Sequence, residues 1–134
     1  NTFPYFDYVA PMVYPSHYPK TFNGWANPND HVYEVVRLSM SGAVSRAHEF
    51  DNPTISSATT SSSTITTKTR QAPDWYTGDS AKKLRTWIQD FDYGGNYDVA
   101  EVRAQIQASY DSGVMSWMIW NPSNKYTTGA LQKE

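Results

Sequence analysis

Along the chain, apolar positions switch between the short runs of strands and the three-and-four spacing of helices. YFDYVAPMVY is a Val, Tyr and Met run too short for a helix, and it predicts a strand over residues 6–14. Pro11 is tolerated there only near an edge, a bulge or a strand end. The following PSHYPKTFNGWANPND is rich in Pro, Gly and Asn and reads as a loop, yet it carries His17, Tyr18, Phe22 and Trp25. A helix then begins, with Asn27 as cap and Pro28 at the first helical position, or with Asp30 as a later cap. Val32, Val35, Val36, Met40, Ala43, Val44 and Ala47 form its apolar stripe, while Glu34, Arg37, Ser41 and Arg46 fall largely on the other face.

Residues 51–74 break the pattern. Eleven of the fourteen residues 54–67 are Ser or Thr, with only Ile55, Ala58 and Ile65 apolar. Such a segment buries too little to offset its ordering entropy, so it reads as a mobile surface insertion or a β-ribbon excursion, without chemistry of its own. Order resumes with a second strand over 84–91, ending in Asp90, Asp92 and a Gly94-Gly95 turn. Asp98 and Glu101 make a capping-box start to a second helix, whose stripe is Val99, Val102, Ile106 and Tyr110 and whose stop is Gly113. A third strand spans 114–120, and TTGALQKE has the look of the first turn of another helix.

This order of strand, helix, strand, helix, strand predicts an α/β fold with parallel strands and helices on the outer face. Loops that follow the carboxyl ends of such strands carry the site. His17 and Tyr18, then Asp90 and Asp92, then Trp120, Asn121 and Asn124 are therefore expected on one rim.

Composition removes several classes of function. The 134 residues amount to one domain, with 11 basic against 13 acidic side chains and a net charge of −2. There is no basic patch for nucleic acid. Cysteine is absent, which excludes disulfides and thiolate chemistry but fits the cytoplasm or an exported location alike and so decides nothing about compartment; the compartment stays open, with the extracellular space or cell envelope only weakly favoured. No apolar run reaches the roughly 18 residues of a membrane span. His17, His31 and His48 lack the spacing of a metal site, and no cofactor is expected. His31 and His48 are read as solvated.

DYVAPMVYPSHY, NPNDHVYEVV, TWIQDFDYGGNYDVAEVRAQIQASYDSGV and SWMIWNPSNKYTTGAL together resemble the C-terminal part of a glycoside hydrolase domain family of the TIM-barrel glycosidase superfamily, catalogued as a domain of unknown function. The resemblance implies strands six, seven and eight of a (β/α)8 barrel. A whole barrel needs about 250 residues, so residues 1–134 are expected to be the C-terminal fragment of one such domain, and the remainder of the barrel, in the same parent chain, is expected as partner.

Glycosidic hydrolysis needs two carboxyl groups, about 5–5.5 Å apart for retention and about 6.5–9.5 Å for inversion. Asp90 and Asp92, two apart on a strand, would point to the same side. Asp90 is the expected catalytic residue, paired with an acid from the rest of the barrel, and Asp92 its support. The competing reading makes Asp92 an Asx turn into Tyr93 and Gly94. Tyr14, His17, Tyr18, Gln89, Trp120, Asn121 and Asn124 are the expected substrate-binding set, in which the Trp120 indole stacks on a sugar and the amides bond its hydroxyls, whereas Trp117 is read as core. The expected substrate is a polysaccharide or oligosaccharide. The alternatives are a non-catalytic carbohydrate-binding protein and a small protein-interaction domain whose exposed aromatics form the contact.

Overall fold

The computed structural model describes residues 2–52, 57–60, 63–66 and 72–131. In chain order its elements are helix α1 (Val32–Asp51), strands β1 (Ser57–Thr60), β2 (Ser63–Thr66) and β3 (Thr86–Gln89), helix α2 (Val99–Asp111) and strand β4 (Trp117–Trp120). Strands β3 and β4 are parallel neighbours, with Thr86 opposite Trp117 and Gln89 opposite Trp120.

The expected first strand lies along the other edge of β3, also parallel, but shrinks to two bridges, Val9 with Leu84 and Met12 with Trp87. Its ladder explains the interruption. The Val9 amide donates to Lys83 O, Arg85 N to Val9 O, Trp87 N to Pro11 O and Val13 N to Trp87 O, all at 2.9–3.0 Å. The rung missing from this series is the one residue 11 would donate to Arg85 O, and proline has no N–H to give. The ladder ends at Gln89, whose amide bonds the Gln105 side chain instead.

The helices cover one face of this sheet. Val13 and Leu84 join Val35, Val36, Met40, Ala47 and Phe50 of α1 in the larger core cluster. Ile88 joins Val102 and Ile106 of α2 in the smaller one, with Trp117 and Ile119 packed against it. Side chains alternate along a strand, so Tyr8, Met12, Arg85, Trp87, Met118 and Trp120 fall on the opposite face. The described residues thus form a small α/β unit with an open parallel sheet and do not close into a barrel.

Local chemistry sets the helix ends. Asn27 caps as expected, its side chain accepting the Asn29 amide at 3.2 Å, but the segment Pro28–His31 is a 3-10 turn and the α-helix proper starts at Val32. Asp98 and Glu101 form the reciprocal capping box. Gly113 has φ +82°, and the bonds Gly113 N to Tyr110 O and Val114 N to Ser109 O close α2 in a Schellman motif. The expected stripe of α2 needs correction. Val99 and Tyr110 are exposed, and the buried face runs through Val102, Gln105, Ile106, Ala108 and Ser109. Polar Gln105 and Ser109 sit in the seam because each finds an acceptor: Gln105 Nε2 donates to Gln89 O across the helix–strand contact, and Ser109 Oγ to Gln105 O one turn back. His31 is not simply solvated either, since its ring stacks on Trp25 at 4.4 Å.

Within the Ser/Thr segment, β1 and β2 pair antiparallel, Ser57 with Thr66 and Thr60 with Ser63, in line with the ribbon alternative. The rest of 53–71 lies outside the described residues, as do 132–134 of the C-terminal helical turn, of which Thr128–Leu131 is 3-10. At the base of the excursion, the Asp51 carboxylate accepts the Ser80 amide at 2.7 Å and its hydroxyl at 2.6 Å. No helix among the described residues is long and apolar enough to cross a membrane.

Candidate functional site at the strand ends

Because the three strand segments are parallel, their carboxyl ends meet at one edge. There Tyr14 packs edge-on against His17 and Phe91, at 5.4 and 5.8 Å between ring centres, and His17 also meets Phe91 at 6.3 Å and Tyr93 at 6.1 Å. The loops after the first strand and after β3 thus meet through His17, Phe91 and Tyr93, of which Phe91 and Tyr93 are not among the residues expected from the sequence. Burial pushes the Tyr14 hydroxyl above the ordinary phenol range. His17 is exposed and its Nδ1 lies 2.9 Å from Ser16 Oγ. Tyr18 turns away toward α1, with its hydroxyl 2.6 Å from Ser39 Oγ.

The Gln89 side chain is buried and serves as a clasp. Its Oε1 accepts Ser16 Oγ at 2.8 Å, its Nε2 donates to Phe91 O at 2.9 Å, and the Gln105 side chain bonds both its amide and its carbonyl. The loop after the first strand, the loop after β3 and helix α2 are thereby tied to one residue.

Asp90 and Asp92 part company. Strand β3 ends at Gln89, and the bend at Phe91 breaks the alternation that would have aimed both carboxylates the same way. Asp90 is only 2% exposed, and its carboxylate accepts the Thr127 amide at 2.8 Å and hydroxyl at 2.6 Å. Asn121 Nδ2 donates to Asp90 O, and Asn121 Oδ1 accepts Ser123 N at 2.8 Å. Asp92 is exposed, and its Oδ1 accepts the Tyr97 amide at 2.8 Å, closing the loop into α2. Asn124 is exposed in the left-handed region at φ +54°.

Trp120 and Trp117 separate as their strand parity requires. Trp117 is half-buried against the α2 cluster, with Nε1 donating to Tyr110 Oη at 3.0 Å. Trp120 is 41% exposed on the other face, edge-on to Trp87 at 6.2 Å. On that face the Arg85 guanidinium lies 3.3 Å above the Tyr8 ring, and Arg85 Nε and Trp87 Nε1 are buried without a hydrogen-bond partner.

Beside the aromatic cluster is a cavity of about 540 Å3, lined by residues including Ser16, Tyr18, Lys20, Asn27, Asn29 and Tyr93. Asn29 Nδ2 donates to Asn27 Oδ1 at 2.8 Å and Tyr97 Oη to Asn29 Oδ1 at 2.7 Å. Burial raises the Tyr97 hydroxyl, with the Glu101 charge adding to it, so the group remains a donor. Gly94 and Gly95 let the β3–α2 loop approach this network, for a Cβ on Gly95 would fall 2.7 Å from Asn29 Cβ. Among the described residues, no group of His, Asp and Glu is placed to hold a metal ion.

Fold and site together define an α/β protein with a polar and aromatic surface at the carboxyl ends of parallel strands. The chain matches the family described as "Putative glycosyl hydrolase domain" over residues 3–57 and 49–126, and it belongs to that family. Neither the curated proteins nor the solved structures contain a significant match to it.

Proposed function

We propose that residues 1–134 form the C-terminal sector of a glycoside hydrolase barrel, contributing strands six to eight and part of the rim that holds a polysaccharide. One observation carries this reading: parallel strand segments stand side by side in chain order, with helices on one face only and aromatic rings at their carboxyl ends. A doubly wound sheet reverses its strand order at the binding crevice, whereas a barrel never does. The uncovered face supports the same assignment. Met12 is 68% exposed there, and in a barrel that face is the packed interior. The Arg85 and Trp87 N–H groups would find their partners among the remaining strands.

In this reading Trp120 and the Tyr14–His17–Phe91–Tyr93 cluster bind sugar faces, with Asn124 free for hydroxyls. Asp92 is the solvent-facing acid of the rim. Asp90, roofed by Thr127, positions the loop after β4, and an acid from the preceding strands completes the catalytic pair. Asn121 and Gln89 shape the rim from beneath.

Affinity electrophoresis through gels containing soluble polysaccharides tests the proposal. The protein should be retarded by at least one polysaccharide, and Trp120→Ala should weaken that binding about tenfold, since an indole–sugar contact is worth about 1–3 kcal/mol. Trp117→Ala should instead lower stability and leave the retardation. Retardation by none, or loss through Trp117 rather than Trp120, would overturn the assignment. Turnover by these 134 residues alone would overturn the need for a second acid from elsewhere.

A further inference from the structure

The cavity beside the aromatic cluster differs from the rest of the rim in its charge. Its lining contains one ionic side chain, Lys20, and no carboxylate, although the chain as a whole is net acidic. Asp90 and Asp92 both lie outside it, occupied with Thr127 and with the Tyr97 amide. Lys20 makes no ion pair or hydrogen bond among the described residues. A cation without a partner in a recess whose lining carries no carboxylate is a feature the fold does not use.

The other walls are already set. Asn27 and Asn29 bond each other, the Asn29 backbone amide and Tyr97, and Asn27 Nδ2 also donates to Asp30 Oδ1 at 3.1 Å behind the lining, so these walls have little ordering entropy left to lose on binding. Tyr93 is 64% exposed, presents a ring at the mouth, and is braced by His17. The volume lies within the roughly 300–1,000 Å3 range of small-ligand sites. The second recess, about 320 Å3 and lined by His48, Asp51 and Asp79, lacks this character. Its acids are engaged by Ser80 and Lys82.

We propose that this cavity is a subsite for an anionic sugar residue, its carboxylate or sulfate group held by Lys20 and its ring face laid on Tyr93. The inference rests on the carbohydrate reading above and narrows it to acidic polysaccharides. A point cation on a flexible stem suits a single charged group on a ring whose hydroxyls vary in position. The Tyr93 face supplies binding that does not depend on charge.

Isothermal titration of the full chain separates the two layers of the proposal. The probes are an oligogalacturonate, a sulfated oligosaccharide and a neutral oligosaccharide of equal length, each at low salt and at 0.5 M salt. At least one anionic probe should bind about tenfold more tightly than the neutral one at low salt, and the preference should shrink at high salt, where the Debye length falls to a few ångströms. Lys20→Gln, in an exposed loop, should erase the preference without changing affinity for the neutral probe, while Tyr93→Ala should weaken both. Tighter binding of the uronate or of the sulfated probe identifies which anion the site takes. Equal affinity for charged and neutral probes, with Lys20→Gln silent, would overturn the anionic subsite and leave the sugar site standing. Binding of none of them would overturn both.

Discussion

Two regions of the same rim use polar residues in opposite ways. Beneath the loop after β4, Asn121, Ser123 and Thr127 spend their hydrogen bonds on one another and on Asp90 at the end of β3, and the carboxylate is sealed under that loop. Where the loops after the first strand and after β3 meet, Ser16 is clasped from below by Gln89, while Lys20 and the Tyr93 ring face a cavity. Both regions follow a strand end and both are rich in the residues expected of a sugar site. What separates them is whether the loop must bury a turn. A loop that folds back over a strand end has orphaned backbone groups, and the nearest Asp or Asn satisfies them first.

Mutation of the sealed region should therefore act on stability, and mutation of the open one on binding. The largest effect is expected from Asp90→Ala, which leaves the Thr127 amide and hydroxyl without their acceptor and should cost about 2–4 kcal/mol in chemical denaturation. A near-neutral result would dissolve the contrast and return Asp90 to the candidates for chemistry. Gly95→Ala comes next. Its Cβ meets Asn29 at a distance atoms do not tolerate, so overpacking should cost about 1–3 kcal/mol and any cavity ligand should be lost with it. Binding that survives Gly95→Ala would place the ligand elsewhere.

The smallest effect belongs to the seam between the helices, remote from both regions. Tyr33 Oη donates to Asp111 Oδ2 at 2.7 Å. That bond, with those from Gln107 and the Arg37 charge, holds the Asp111 carboxyl below its ordinary value and raises the Tyr33 phenol. A carboxyl depressed on folding contributes stability above its unfolded value of about 3.9 and loses it as pH falls through the folded value. The melting difference between the protein and Tyr33→Phe should thus be small and constant at pH 5–7 and shrink progressively as pH falls below the unfolded value of about 3.9. A difference that persisted in acid would mean the bond does not depend on the charge.

The apolar pattern was legible because burial imposes it. The parallel order, the strip from Val32 to Ala47 and the caps at Asp98 and Gly113 all follow from periods and end signals that local sequence carries. The polar seam of α2 was not legible, because Gln105 is buried only through its bonds with Gln89, a partner chosen by tertiary structure. The same limit governs the rim. Asp90 and Asp92 share a residue type and a spacing, but the strand stops before either, and partners at 127 and 97 decide their surroundings. Tyr93 left one trace, its place before the Gly94-Gly95 turn, where strand-end loops carry their exposed side chains. Lys20 left none beyond its being a basic residue in a loop that also held aromatics.

The Asp51 carboxylate that grips Ser80, together with the Ala72 amide on Phe50 O, ties the two ends of the Ser/Thr excursion to α1 and the approach to β3. A loop of that kind enters the folding free energy through the logarithm of its length, at about 0.6 kcal/mol for each doubling. The Ser/Thr ribbon could therefore be shortened by half, or replaced by a whole foreign sequence, for less than the energy of a single good hydrogen bond. The clasp turns this connection into a port at which evolution, or an engineer, can insert a module without renegotiating the sheet.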